Sequence, residues 1–322
     1  MKVFCAFGVV ILSCFVLYPA SAQDRFPAAD AHVVAEQLGV AKKSLPAWAL
    51  TLAKPLPKTT AAMLRLDYLH RAKNPLGPVL AGKLHLAAAE AMDCEYARRY
   101  ALADLRRAGR GDVDIKKLIR GDDRAVIEFA LKMTEAAYTV TDDEVAELIK
   151  EYGAECVVAM VHTLAWANFR NRVLLAIGTK VEPGGPLLPV DCLLDKSQKE
   201  KLKTPARPPW NDVVAAKVPG VYLTKIDWPK RTDAELVEAM ERQKERKSRI
   251  ALPGLAKLDK LPSEVKARMA KIAWSRVSLG YQPMLTQMWG DTMGMFQREA
   301  RLNPVFSSSQ FWIVTRSNEC FY

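Results

Sequence analysis

The stretch from Leu84 to Gly109, LHLAAAEAMDCEYARRYALADLRRAG, constrains the fold more than any other part of the chain. Ala87, Ala88, Ala89 and Ala91 lead into Asp93-Cys94-Glu95-Tyr96. Ala97, Ala101, Leu102 and Leu105 then recur at helical spacing, with Arg98, Arg99, Arg106 and Arg107 between them. This pattern is one helix running into a cysteine and a second helix leaving it, with Gly109 as the stop. A cysteine at a helix start faces unpaired N–H groups and the positive end of the dipole. That environment lowers the thiol pKa and favours the reactive thiolate. The competing reading of Cys94 is a small buried residue in a structural helix.

The rest of the chain is helical in pattern and has no alternating strand pattern of useful length, so the predicted fold class is all-α, a helical bundle. Ala28–Leu38 reads as a short helix, and Pro46, Pro55 and Pro57 break the irregular segment 23–58. Met63, Leu64, Leu66, Tyr68 and Leu69 form an apolar face that ends at Asn74-Pro75. A short helix follows over Asp112–Ile119, and Asp122 or Asp123 caps another over Ala125–Ala137. Thr141 and Glu144 form a capping box that opens a helix through Lys150. Val157–Ile177 is apolar nearly all round, which places it inside a bundle or at a subunit interface, and Gly178 ends it. Residues 59–178 thus make a first helical domain.

Prolines crowd residues 179–231, which read as a linker or as an arm packed over the first domain, anchored by Trp210, Tyr222 and Trp228. Thr232 and Glu235 make a second capping box before the charged, solvent-facing segment Leu236–Lys247. A helix from Pro262 to Leu279 is expected to break at Gly280. Tyr281–Ala300 then carries a methionine stripe of core or interface type (Met284, Met288, Met293, Met295).

Residues 1–22 have Lys2, an apolar run from Val3 to Tyr18 and the small-residue pattern Ala20-Ser21-Ala22. This is a signal peptide with cleavage expected after Ala22, giving a secreted or periplasmic protein without an integral membrane span; an uncleaved anchor is the alternative. Cys94, Cys156, Cys192 and Cys320 remain after cleavage, and the sequence does not choose among their pairings. The cysteine spacings fit no zinc pattern and the four histidines are scattered, so neither a metal nor another cofactor is expected. The net charge of +11 is spread over helix faces and the linker. It accompanies no basic-aromatic groove, so no nucleic-acid partner is expected, and an anionic envelope surface or plain solvent is the neighbour.

Cys94-Glu95-Tyr96 and its Ala-rich helix, Val126–Thr134, the turn Val140–Val145 and Leu164–Arg172 with Asn168-Phe169-Arg170-Asn171-Arg172 together resemble, in order, the carboxymuconolactone decarboxylase / alkylhydroperoxidase-D-like family. The likeness covers roughly residues 60–178. The peroxidase branch of that family carries Cys-x-x-Cys-x-x-x-His. Here Ala97 stands at the second cysteine and Ala101 at the histidine, while Gly82 and Lys83 occupy the place of the family's acidic residue. A dithiol peroxidase needs one thiolate to attack the peroxide and a second to resolve the sulfenic acid. This first copy is therefore expected to be degenerate.

Asn303-Pro304, the apolar Phe311–Val314 and Cys320-Phe321-Tyr322 repeat the approach to Cys94, and look like the start of a second family domain. The expectation is that the sequence is a fragment, with residues 232–322 the start of a second, incomplete helical domain whose dithiol begins at Cys320, so that the chain as it stands has no complete catalytic set and no peroxidase turnover. The alternative is a tail helix packed on the first domain or on a partner subunit, with Cys320 a free thiol or a disulfide partner. The resemblance implies thiol-dependent peroxide reduction, with candidate site residues Cys320 and Cys94, a small-molecule peroxide and a thiol reductant as partners, and a homo-oligomer, a trimer or a multiple of one. Two other readings stand beside it. One is a non-enzymatic scaffold or ligand-binding module. The other is a cofactor-free lactone decarboxylase, for which His162, Glu90 and Glu95 are the nearest acid/base groups.

Overall fold

A computed structural model describes residues 26–40, 43–111, 121, 123–205, 247–254 and 273–317, with isolated positions 117, 232, 234, 235, 237, 238, 241 and 242. Among the described residues all regular structure is helical. The helices are α1 (Ala31–Gln37), α2 (Ala47–Ala53), α3 (Pro57–Ala72), α4 (Gly77–Ala91), α5 (Glu95–Arg107), α6 (Arg124–Glu135), α7 (Asp142–Ile177), α8 (Lys196–Lys201), α9 (Ala273–Tyr281), α10 (Pro283–Ala300) and α11 (Pro304–Ser317). A 3-10 turn at Ala137–Thr139 joins α6 to α7. Within the described residues no helix is long and apolar enough to cross a membrane. The signal-peptide segment, the anchors Trp210, Tyr222 and Trp228, most of the helix expected over 112–119, Asp122, the greater part of 236–247, residues 262–272 of the helix expected over Pro262–Leu279 and Cys320 all lie outside the described residues.

Local chemistry sets most of the boundaries. The Asp30 carboxylate caps α1 by accepting from the backbone N–H groups of His32 and Val33 at 2.9 and 3.0 Å. Pro57 opens α3 at a position where its missing N–H costs nothing. Thr141 and Glu144 close the capping box of α7 in both directions, and Gly178 ends that helix in the left-handed region at φ 65°. Gly109, at φ 77°, follows the end of α5.

The expected helices over 141–150 and 157–177 are one element, kinked where Gly153 takes φ 82°, ψ 155°. Asp123 sits at the start of α6 but makes no side-chain cap there; its carboxylate pairs instead with Lys83 on α4. Gly280 lies inside α9, which ends at Tyr281, just before Pro283 opens α10. Gly280 is needed for close approach: a Cβ there would lie 2.2 Å from Pro253 Cγ.

The helices bury two main apolar cores. Leu84, Ala87 and Ala88 of α4 meet Val126, Ile127 and Ala130 of α6 and Val157, Met160 and Leu164 of α7 in one. Trp48, Met63, Leu64, Leu66, Tyr96 and Trp166 form the other with Val190, Cys192, Leu194 and Leu202. The described part of the proline-rich stretch is thus an arm packed on the bundle. Its Glu182 accepts from the Ala47 backbone N–H at 2.7 Å, and Asp191 pairs with Arg65 of α3. Helix α10, in the segment expected to begin a second domain, lies along α3. Its Trp289 meets Phe169 of α7 edge-on at 5.5 Å.

Candidate functional site

Cys94 occupies the N-cap of α5, reached through Asp93 in the left-handed region at φ 48°. The position is the one the sequence predicts, but its environment is not. Helices α4, α5 and α7 enclose the side chain, which is 2 % exposed. Its sulfur lies 4.0 Å from the Asn171 carbonyl. Burial pushes the thiol pKa up, and the hydrogen bond from the Ala97 backbone N–H works against that shift without cancelling it. Desolvation of a thiolate therefore outweighs the helix end here, and the expected lowering does not occur. Ala97 and Ala101, which follow Cys94 along α5, are both buried. Cys94, Cys156 and Cys192 are free thiols.

Beside this end of the bundle lies a buried charge cluster that the sequence reading did not single out. Asp67 and Arg71 of α3 stand one helical turn apart, and Arg170 reaches Asp67 from α7. Asp67 accepts from Arg71 at 2.9 Å and from Arg170 at 2.8 Å. Arg71 also grips Asp104 of α5 with two bonds of 2.7 and 3.0 Å, and donates to the Leu187 carbonyl of the arm at 2.9 Å. Its guanidinium lies over the Tyr100 ring at 4.8 Å. Burial by itself would raise the pKa of Asp67. The two guanidiniums overcome that effect and hold its carboxyl below the usual range. One arginine thereby ties α3, α5 and the arm together.

The aromatic wall next to it is equally polar at its tips. Tyr96 and Tyr100 stack at 4.6 Å, and each hydroxyl donates to one oxygen of Glu182 at 2.8 Å. Burial raises both phenol pKa values, and Glu182 adds to the rise. His70 stacks on Trp166 with centroids 5.9 Å apart. Burial holds His70 down to about 3, with the neighbouring His162 and Arg170 acting in the same direction. His85 is likewise held well below the ordinary imidazole value by burial. His70 Nδ1, His85 Nε2, Trp166 Nε1 and both polar atoms of the Asn171 side chain have no hydrogen-bond partner among the described residues. The centre is thus two neutral imidazoles beside charges that already neutralise one another.

The acid/base groups expected for lactone chemistry are not brought together. Glu95 is bound by Arg98 and Arg99 on the surface, and the nearest ion-pair partner of Glu90 is Arg98 at 3.9 Å. His162 faces α10, where its Nε2 lies 3.3 Å from Thr286 Oγ1, and burial lowers its pKa to about 4. Among the described residues no cluster of His, Cys, Asp and Glu could hold a metal ion. One signal for the charge cluster was present in the sequence: Asp67 and Arg71 sit among Leu64, Leu66 and Leu69, where a solvated pair would not be flanked by core residues. No protein-family model, curated protein or solved structure matches the chain.

Proposed function

We propose that the bundle around Cys94 is the non-catalytic scaffold of an exported alkylhydroperoxidase-D-like protein. In this reading thiol-dependent peroxide reduction rests on Cys320. The observation that carries the first half is the state of Cys94: 2 % exposed, with its pKa raised by burial, and followed by Ala97 and Ala101. A thiol there is inert, because only the thiolate attacks. The second half rests on the repeat of the Cys94 approach at Asn303–Tyr322. At Cys320 a thiolate would cleave the peroxide O–O bond, releasing an alcohol or water and leaving a sulfenic acid. A second thiol would condense with it to a disulfide and water, and an external dithiol would restore both. Export and homo-oligomerisation belong to the same reading.

Peroxide consumption by a chain that continues past Tyr322 and carries the second thiol, with dithiothreitol as reductant, tests it. Cys320→Ser should abolish turnover and Cys94→Ser should leave it intact; the reverse pattern overturns the assignment. The second reading, a helical scaffold without enzymatic activity, is favoured by the self-neutralised charges of the buried centre. Absence of turnover in that longer chain would select it.

A further inference from the structure

Helix α10 and the arm together leave a cleft of about 200 Å³ against α3. Its wall is apolar and rich in sulfur, formed by Ala61, Leu194, Met288, Met295 and Cys192. Cys192 is 3 % exposed, its thiol faces the Leu38 carbonyl at 3.6 Å, and burial pushes its pKa up to about 11. It therefore acts as wall and not as nucleophile. The charged lining has the opposite character. Arg65 is held by Asp191, but Lys58, Lys199 and Arg298 make no ion pair among the described residues, and Asp291 is the one carboxylate among the lining residues. The N-terminal amides of α3 do not contribute, because the Glu299 carboxylate already occupies them. These three cations, without an ion pair among the described residues, stand around an apolar wall and complement a ligand with an apolar body and an anionic head. The aliphatic stems of the lysines and arginine extend the wall and keep the charges at the mouth.

We propose that this cleft between α3, α10 and the arm binds a small acyl carboxylate, its chain against Met288 and Met295 and its carboxylate at Lys58, Lys199 and Arg298. The volume lies below that of drug-sized pockets, so the chain is short. The proposal does not depend on the peroxidase reading.

Calorimetric titration of the full chain with octanoate tests it, with octanol and acetate as comparators. The expected result is saturable binding of one octanoate, with octanol and acetate each weaker by about tenfold or more. The double substitution Lys58→Gln, Arg298→Gln should weaken octanoate by about tenfold and leave octanol unchanged. Met295→Trp, which fills the cleft, should abolish binding of both, with circular dichroism confirming an intact fold. Equal affinity for octanol and octanoate overturns the anionic head. Octanoate binding indifferent to all three substitutions overturns the site. Association with phosphatidylglycerol vesicles but not with octanoate overturns the free carboxylate in favour of a lipid surface.

Discussion

Glu299, on the last turn of α10, caps the first turn of α3 through Thr59: its Oε2 accepts from the Thr59 backbone N–H at 2.7 Å and from Thr59 Oγ1 at 2.6 Å. Its other oxygen accepts from the Lys58 N–H at 3.1 Å and from Thr204 Oγ1 at 2.6 Å. The carboxylate is 4 % exposed and lies at the positive end of a 16-residue helix. One side chain thus joins α10, the arm and the N-terminal half of the bundle. Glu299→Ala should cost about 1–3 kcal/mol, since it leaves buried donors unpaired. Urea unfolding gives the magnitude.

Asp67 is the counter-ion of two guanidiniums, so Asp67→Asn should be among the most damaging substitutions in the chain, at about 3–5 kcal/mol. Adding Arg170→Met should recover part of the loss, because it removes one of the two cations left without a partner. A double-mutant cycle in urea checks this, and strict additivity of the two costs would show that Asp67 and Arg170 are not coupled.

Acid should destabilise the fold well above the carboxylate range. His70 and His162 titrate at about 3 and about 4 in the folded chain, against a reference of 6.5. Between those values the unfolded chain binds more protons, so stability is full above about pH 7 and is lost as pH falls. At about pH 5 each of the two removes on the order of 2 kcal/mol. His85 acts in the same direction, and Asp67, with its lowered folded pKa, adds a further loss at lower pH. Melting temperatures between about pH 7.5 and about 5 measure the slope, and His162→Gln should flatten it by one histidine's share.

Packing at Gly82 leaves no room for a side chain. A Cβ at Gly82 would lie 2.8 Å from Leu105 Cδ2 and 2.9 Å from its Cγ, and Leu105 is wholly buried. Gly82→Ala should cost about 1–3 kcal/mol through overpacking between α4 and α5. Gly82→Glu adds a buried unpaired charge and should prevent folding. Soluble yield together with urea midpoints distinguishes the two.

Thiol reactivity should follow burial. Cys156 is partly exposed on α7, whereas Cys94 and Cys192 are buried with raised pKa values. Among these three, iodoacetamide on the native protein should label Cys156 first and reach Cys94 and Cys192 only after unfolding, as mass spectrometry of the peptides would show.

Features that depend on near neighbours in the chain were legible in the sequence. The capping box of Thr141 and Glu144, the stop at Gly178, the break at Asn74-Pro75 and the two-helix reading of Leu84–Gly109 all arise from bonds within one turn, and each is present. The all-helical class follows from the same periodicity. Asp123 holds the N-cap position of α6 as expected but gives no side-chain cap, because Lys83, 40 positions away, takes the carboxylate. Gly280 read as a breaker because glycine disfavours helix, whereas it is there to admit Pro253.

The chemistry at Cys94 shows the limit most clearly. The sequence by itself determined that a cysteine stands at a helix start and that alanines, Ala97 and Ala101, follow it at one and two turns' distance. Only the tertiary structure decided that this thiol is buried, because exposure depends on how α4, α5 and α7 close over it, and desolvation then outweighs the dipole. In the same way, sequence determined that Asp67 and Arg71 share a helix face. Packing brought Arg170 to them across 103 positions and turned a pair into a buried cluster. Local bonds are written in neighbouring residues, whereas burial and charge pairing across the bundle exist only once distant helices meet.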